Sequence, residues 1–292
     1  MTTSSLPTGS LSAVSRRRRR FLRRKPPRSL VIGGGMILFW IALAVVGPLV
    51  WTADPTALNL GASLLPPSLA HPFGTDSLGR DVLLRVVNGA SVDLQIGLFT
   101  VLPALIIGSL VGALAGYYGS FVDIAVMRLV DIVVAFPFFV LVIAIIAVLG
   151  PGLINMYIAV GLVGWVSYAR VVRAEMMVAK QMDYARAARV LGFSDARILL
   201  RHLIPNVIVQ ALIYSTSDFI LNILLGSSLG FLGLGAQPPT PEWGVMIADG
   251  YSFLARAPWI SALPGLVIVA LAAAFSLFGD GLADYLRPEI DR

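Results

Sequence analysis

The 292-residue sequence has no cysteine and only two histidines, and it is poor in charge. Without cysteine, disulfide bonds, thiolate metal sites and a cysteine nucleophile are all excluded. The histidines, His71 and His202, lie far apart in the sequence, and neither has the close His or Glu neighbours that a zinc site needs. We therefore predict no metal site and no catalytic residue in this chain.

Charged residues make up 13% of the chain, against about 25% in an average soluble domain. Hydrophobic residues make up 57%, and 28 glycines and 18 prolines are spread among them. This composition excludes a water-soluble monomer. It matches proteins whose solvent is lipid, where helices tolerate glycine and proline better than in water. The predicted fold class is an all-α membrane protein.

Six segments are apolar and long enough to cross a hydrocarbon layer of about 30 Å, which takes about 20 helical residues. They are residues 29–51, 94–116, 129–149, 153–169, 207–233 and 259–278. The fourth is short and is followed at once by Arg170 and Arg173, whose side chains can extend to the membrane surface. We therefore predict six transmembrane helices.

Positive charge is concentrated on one side of these spans. Of the 22 lysines and arginines, only Arg80, Arg85 and Arg256 lie in loops on the other side. Because positive loops stay in the cytoplasm, both termini are predicted to be cytoplasmic, in a multi-pass protein of the cell's inner or plasma membrane. The chain then divides into a basic cytoplasmic tail, a first span, an external loop and a domain of five spans: residues 1–28, 29–51, 52–93 and 94–292.

The arginine run at residues 16–20 allows three interpretations. A signal peptide is disfavoured, because the apolar segment that follows does not end in small residues at a cleavage position. A nucleic-acid-binding tail is disfavoured, because no aromatic residues are interleaved with the arginines. We favour an anchor that is attracted to anionic lipid headgroups, so membrane lipid is an expected partner and nucleic acid is not.

The first external segment, residues 52–92, is predicted to be an ordered loop. Asp76 can cap a turn, Gly79 permits a bend, and the adjacent charges of Arg80 and Asp81 can pair with neighbours.

The second external segment, residues 234–258, is rich in proline and then amphipathic. It predicts a rigid turn and a short helix that lies on the interface or re-enters it, with Trp243 and Trp259 as aromatic belt residues.

The cytoplasmic segment 170–206 carries the most information. Asp183 can cap a helix over residues 184–191, and Gly192 suits the C′ position of that helix.

A second short helix is expected to follow directly. Ser194 can cap it, Asp195 is favourable in its first turn, and Pro205 is expected to end it.

The first of these helices combines small or apolar residues with basic ones. Ala187, Ala188 and Leu191 would form a docking face, and Arg186 and Arg189 a charged edge. A positive cytoplasmic loop that happens to be helical is the alternative, and the two interpretations carry similar weight from the residues alone. The small alanine pair favours a partner surface, because small residues let another backbone come close.

Residues 183–192, with Ile198 and residues 201–206, resemble the "EAA" loop of ABC-importer permeases. Together with residues 71–85, 231–244 and 279–282, the chain is similar to the C-type permease subunit of dipeptide and oligopeptide importers. This resemblance implies the type I ABC-importer permease architecture. The residues it assigns to ATPase coupling are Asp183, Arg186, Ala187, Ala188, Gly192, Ser194, Asp195, Arg197, His202 and Pro205.

The resemblance also implies the partners and the cargo. Relatives work with a second homologous permease subunit, two ATPase subunits and an extracytoplasmic substrate-binding protein. ATP and Mg would be bound by the ATPase partners, and no cofactor by this chain. Its only lysines, Lys25 and Lys180, do not lie in a phosphate-binding loop. Dipeptides or oligopeptides are the expected cargo, with nickel chelates, glutathione or haem as alternatives.

Two positions depart from the family pattern. Arg186 stands where the loop's naming glutamate is usual, and Gly226 stands where relatives commonly carry a glutamate before the Gly-rich motif. No role of either carboxylate can be transferred to this chain.

Asp218 is the ionisable residue that lies deepest in a predicted span. Placing such a residue in the bilayer costs much free energy, so it usually has a function. With Ser215 and Asn222 it forms a polar stripe. The stripe is predicted either to line the translocation path or to form hydrogen bonds between helices, and these two interpretations stay equally open. A less favoured hypothesis is an ion-coupled carrier that uses Asp218.

Overall fold

The computed structural model describes residues 25–286, and all regular elements within that range are helical. The arginine run at 16–20, the rest of the predicted tail up to residue 24, and residues 287–292 lie outside the described residues. The helices are α1 (Arg28–Val50), α2 (Val82–Tyr118), α3 (Ser120–Val134), α4 (Phe138–Leu149), α5 (Leu153–Ala179), α6 (Asp183–Val190), α7 (Asp195–Ile198), α8 (Ile204–Phe231), α9 (Trp243–Tyr251) and α10 (Trp259–Leu286), with a 3₁₀ turn at Leu60–Ala62 and a π turn at Leu199–Leu203.

Five of the six predicted spans correspond to long apolar helices, namely α1, α2, α5, the continuous helix Asp195–Phe231 and α10. Large side chains such as Leu49, Phe121 and Ile154 are exposed on the helices. Such an apolar surface is stable in lipid and not in water. The described residues therefore form a multi-pass helical membrane protein.

The third predicted span is not one straight helix. Residues 129–149 are divided between α3 and α4, whose axes are bent by 85°. The break lies at Pro137, which has no backbone N–H and disfavours a helical conformation in the residue before it. The 12 residues of α4 cover only about 18 Å, so the pair can form at most one bent span.

The helix of the fourth predicted span extends beyond its predicted end at residue 169. Helix α5 runs to Ala179, and Arg173 forms a two-pronged ion pair with Asp123 of α3. A charged segment can thus remain helical where a neighbouring helix supplies the opposite charge.

Helix α2 packs against α5 through a stripe of glycines spaced four residues apart. A Cβ atom on Gly112 would lie 2.3 Å from the carbonyl oxygen of Ala169, and Gly108 and Gly116 are similarly close to α5. Small residues at this spacing let two membrane helices approach until their backbones touch. This contact fixes α2, which is about 55 Å long, as the central column of the bundle.

The loop before α2 is ordered as the sequence predicts. The Asp76 carboxylate accepts hydrogen bonds from the backbone N–H groups of Leu78 and Arg80, both at 2.9 Å, and pairs with the Arg80 guanidinium. Gly79 adopts a φ of +73°, and Asp81 caps α2 by accepting from the Leu84 N–H. These local expectations are confirmed.

The expectation that Trp243 belongs to an aromatic belt is wrong. Its side chain is fully buried, and its indole N–H donates to the carbonyl oxygen of Val86 at 3.0 Å. Gly89 leaves room on α2 for the ring, so a protein contact replaces the lipid interface. Trp259 is partly exposed and donates to the carbonyl oxygen of Thr75.

Candidate coupling surface and buried polar groups

Helix α6 begins one residue before the predicted start. Met182 occupies the N-cap position with an extended backbone, and Asp183 is the first helical residue rather than the cap. The carbonyl oxygen of Met182 accepts from the N–H groups of Ala185 and Arg186. A carboxylate in the first turn still complements the helix dipole, so Asp183 keeps a favourable position.

The end of α6 is formed as predicted. Gly192 has a φ of +76°, and its N–H donates to the carbonyl oxygen of Arg189 at 2.9 Å. The N–H of Phe193 donates to the carbonyl oxygen of Ala188 at 3.1 Å. This pair of hydrogen bonds is the Schellman motif, which satisfies the last carbonyl groups of a helix and turns the chain.

Pro205 does not end the second helix, contrary to the sequence expectation. Ser194 takes the extended N-cap conformation, although its side chain forms no capping hydrogen bond, and α7 then continues through a π turn into α8. Pro205 lies at the start of α8, directly after the π turn. A wide turn relieves the clash between a proline ring and the carbonyl group one turn earlier, so the polypeptide remains helical.

The exposed face of α6 differs from the predicted docking face. Ala188 is buried and packs, with Ala185, in the core formed by α2, α5 and the start of α8. Ala188 therefore cannot belong to an exposed docking surface. The exposed apolar residues of α6 and its C-terminus, which we name the α6 face, are Tyr184, Ala187, Val190 and Leu191. Asp183, Arg186 and Arg189 are exposed on the same helix.

The α6 face is apolar although it lies beside charged residues. Val190 is 88% exposed and Leu191 is 71% exposed. At 100° per residue the four side chains occupy an arc of about 120°. Arg186 is exposed next to them, and a Cβ on Gly192 would meet no atom within 4 Å. An apolar surface with a basic border and an open glycine suits contact with another protein.

This segment is anchored to the C-terminal end of α2. The Tyr117 hydroxyl donates to the Asp195 carboxylate at 2.5 Å, and the Arg189 guanidinium lies 5.8 Å from the centre of the Tyr117 ring. The Lys180 ammonium donates to the carbonyl oxygen of Gly116 at 2.7 Å. These contacts fasten the segment from Lys180 to Asp195 to the C-terminal end of α2.

Arg197 and His202, two further residues predicted to take part in ATPase coupling, contact the same aromatic ring. The Arg197 guanidinium lies 4.6 Å from the centre of the Phe193 ring, and the His202 imidazole stacks on the same ring, with centroids 5.9 Å apart and planes at 8°. Cation–π and stacking contacts of this kind hold side chains in one arrangement. Phe193 was not singled out from the sequence, although its place after the Gly192 cap is where an apolar contact is common.

Of the three residues in the polar stripe on α8, only Asp218 forms a described hydrogen bond to another helix. The Asp218 carboxylate accepts a hydrogen bond from the Tyr168 hydroxyl of α5 at 2.7 Å, while Asn222 donates to the backbone carbonyl oxygen of Asp218. Ser215 donates to the Leu212 carbonyl oxygen of its own helix. Of the two open interpretations, the contacts of Asp218 support the hydrogen bond between helices. Tyr168, which lies in the predicted fourth span, is the partner that sequence reasoning missed.

A pair of buried acidic residues was also missed. Asp93 and Glu242 are both fully buried, although the sequence placed both in external loops. Glu242 caps α9 by accepting from the N–H groups of Gly244 and Val245, at 2.7 and 2.8 Å. Burial raises the pKa of Glu242, and these two donors oppose the rise. The sequence signal for this cap was the acidic residue that directly precedes the Trp-Gly pair at the start of the helix.

Gly226 explains one departure from the family pattern. A Cβ at this position would lie 2.6 Å from the Cγ2 atom of Ile96. The space that a larger side chain needs is filled by the Ile96 side chain of α2, so a glutamate at position 226 would require Ile96 to move.

Comparison with known proteins found one matching family model and several similar relatives. The family model described as "binding-protein-dependent transport system inner membrane component" matches residues 104–292. The chain is 40% identical to the dipeptide transport system permease protein DppC of Alkalihalophilus pseudofirmus, over 87% of this chain and 84% of the relative. It is 39% identical to the probable D,D-dipeptide transport system permease protein DdpC of Escherichia coli K12, over 87% and 85%. It is 45% identical to the glutathione transport system permease protein GsiD of Escherichia coli O6:K15:H31, over 77% and 74%.

Proposed function

Because the chain belongs to the family of binding-protein-dependent transport system inner membrane components, we propose that it is a permease subunit of an ABC importer for dipeptides or oligopeptides. The observation that carries this proposal is the similarity to dipeptide permeases along 87% of the chain. The chain is a transport component rather than a catalyst. It would form half of the translocation path, and a second homologous permease would form the other half.

Coupling to ATP hydrolysis is assigned to residues 183–205. The α6 face supplies exposed apolar contacts, and Arg186, Ser194 and Arg197 are exposed around it. The hydrogen bond from Tyr117 to Asp195 joins this surface to α2. Two ATPase subunits would bind ATP and Mg and drive the motion, because a packed helical bundle responds to displacement by moving between discrete states.

The uneven distribution of lysine and arginine supports one orientation for this assembly. The end of the bundle that carries α6 would face the cytoplasm together with both termini. The opposite end, with the loop before α2 and helix α9, would face an extracytoplasmic substrate-binding protein. The site of action is the cell's inner or plasma membrane.

Glutathione is a second candidate substrate. It is favoured by the glutathione permease relatives, which reach 45% identity over a smaller part of the chain. The ion-coupled carrier hypothesis is less favoured, because Asp218 is held by Tyr168 between two helices. A carboxylate in such a contact has a structural role without any proton movement.

The test is uptake by the complete complex in liposomes. The chain is purified with its co-purifying subunits, and uptake of a labelled dipeptide is measured with and without internal ATP, with unlabelled glutathione as competitor. ATP-dependent dipeptide uptake that glutathione does not inhibit supports the peptide assignment. Inhibition of that uptake by glutathione favours the second candidate, and uptake that follows a proton gradient without ATP would contradict the importer.

A further inference from the structure

The buried acids Asp93 and Glu242 lie together at the junction of α2, α8 and α9. Both carboxylates accept from backbone N–H groups at the start of α9, Asp93 from Trp243 and Glu242 from the two residues after it, so the two acids converge on the same turn and interact directly. The buried Ser227 hydroxyl beside them has no hydrogen-bond partner in the described part of the chain. None of the three residues is exposed by more than 7%. Two ionised carboxylates in direct contact and away from water repel each other strongly.

No positive charge offsets this repulsion within residues 25–286. The described ion pairs of lysine and arginine involve other carboxylates, and the network near the N-terminus of α2 joins Arg80 to Asp76 and Asp249, and Arg85 to Asp76. Among the described residues, the other titratable group that interacts electrostatically with Asp93 is the Tyr157 hydroxyl of α5. A proton is the smallest ligand that removes the repulsion, and acid pairs of this kind are known to share one.

The hydrogen-bond partners indicate which residue holds the proton. Each oxygen of Glu242 accepts a short bond from a backbone N–H at the N-terminus of α9, an arrangement that stabilises a carboxylate. Asp93 accepts only one N–H, from Trp243 at 3.2 Å, and its Oδ1 atom is buried without a partner. A proton on that oxygen would find an acceptor in Glu242.

The surrounding backbone is built closely around the pair. A Cβ on Gly230 would lie 2.1 Å from the Oε2 atom of Glu242, and a Cβ on Gly244 would lie 2.1 Å from the carbonyl oxygen of Ser227. Glycine at both positions lets the Glu242 carboxylate approach α8 and exclude water. The pair is thus held by packing and is not a chance contact of surface side chains.

We propose that Asp93 and Glu242 bind one proton between them, carried on Asp93 and donated to the Glu242 carboxylate, and that this acid–carboxylate pair fastens the N-terminus of α9 to α2 and α8. The proton is taken from water when the chain folds and is returned when it unfolds. The pair lies in the N-terminal part of α2, away from the coupling segment that contacts Tyr117 at the other end of the helix.

The first test is infrared spectroscopy of the full chain purified with its co-purifying subunits. At about pH 7, the spectrum of the wild type minus that of Asp93→Asn should contain the C=O stretching band of a protonated carboxylic acid, and the band should shift in D₂O. Asp249→Asn is the control, since its ion-paired carboxylate should contribute no such band. A difference spectrum for Asp93→Asn without the band would overturn the proposal.

The second test compares the two amide variants by thermal unfolding. The amide introduced by Asp93→Asn can donate to Glu242 as the protonated acid does, so this variant should melt within about 2 °C of the wild type, whereas Glu242→Gln loses an acceptor and should melt at least about 5 °C lower. The opposite order would overturn the assignment of the proton, and so would failure of Asp93→Asn to fold.

The pH dependence gives the third readout. Because the folded chain retains a proton that the unfolded chain releases, the melting temperature of the wild type should fall relative to that of Asp93→Asn between about pH 6 and pH 8. Parallel pH profiles for the two proteins would contradict a bound proton.

Discussion

The two ends of helix α2 are built in opposite ways. Near its N-terminus the polar groups are enclosed by the chain itself, as in the contact of Arg80 with Asp76 and Asp249 and in the burial of Trp243. Near its C-terminus the hydrogen bond of Tyr117 with Asp195 anchors a segment whose apolar residues Val190 and Leu191 are exposed.

This difference separates internal stability from partner binding. We expect substitutions that break a buried contact near the N-terminal end of α2 to lower the stability of the fold. We expect substitutions on the exposed surface near the C-terminal end to leave the stability of the fold nearly unchanged. Variants at the two ends should therefore differ in which property they lose.

Two large losses of stability are expected near the N-terminal end of α2, and the first is that of Gly244→Ala. The added Cβ would meet the backbone of Ser227 at 2.1 Å, and overpacking of this kind destabilises by about 1–3 kcal/mol or more. Purified yield and melting temperature should both fall. Gly265→Ala is the matched control in α10, where a Cβ meets no atom within 4 Å, and its melting temperature should be unchanged or higher. Equal behaviour of the two variants would refute the close packing at α9.

A large loss of stability is also expected for Arg80→Met. It leaves the buried Asp76 carboxylate without its main partner, and breaking a buried ion pair from one side costs about 3–5 kcal/mol. Arg197→Met at the other end removes only a cation–π contact, which contributes about 0.5–1 kcal/mol at an exposed site. Thermal unfolding should rank Arg80→Met well below Arg197→Met. Similar melting temperatures for Arg80→Met and Arg197→Met would contradict the proposed difference between the two ends of α2.

An intermediate effect, on uptake, is expected for substitutions of Asp218 in the middle of the bundle. Asp218→Asn keeps an acceptor for the Tyr168 hydroxyl, so most ATP-driven uptake should remain, whereas Asp218→Leu removes the bond and should impair uptake. The measurement is initial uptake in liposomes at constant ATP, with and without a membrane potential. Equal loss in both variants would instead indicate that Asp218 carries protons.

The smallest effect on stability is expected for Tyr117→Phe. It removes one hydrogen bond to Asp195, which contributes about 0.5–1.5 kcal/mol, and it leaves the aromatic ring for Arg189. Substrate-stimulated ATP hydrolysis should fall more than the melting temperature does. Normal stimulation would show that this hydrogen bond does not transmit the motion of α7 to α2.

The sequence predicted features that depend on neighbouring residues. Gly192 at the end of α6 and Asp76 in the outer loop follow from local backbone preferences, and the structure confirms both. The bend at Pro137 was missed because an apolar window registers length and not the direction of the chain.

Features that depend on distant residues could not be predicted in this way. Asp93 and Glu242 are far apart in the sequence and meet only after α9 packs on α2 and α8. The burial of Ala188 depends on which face of α6 meets the core, and an alanine offers no hydrophobic signal strong enough to decide this. Tyr168 and Asp218 are likewise joined by the packing of two helices.

The α6 face is proposed to bind an ATPase subunit and not to stabilise the fold. The most direct measurement is pull-down of ATPase subunits by the double variant Val190→Ser, Leu191→Ser, with Val148→Ser, which is 86% exposed at the end of α4, as the control. We expect wild-type membrane insertion and a melting temperature within about 2 °C of the wild type, but at least about tenfold less bound ATPase. Undiminished ATPase binding in the double variant would contradict this role of the α6 face.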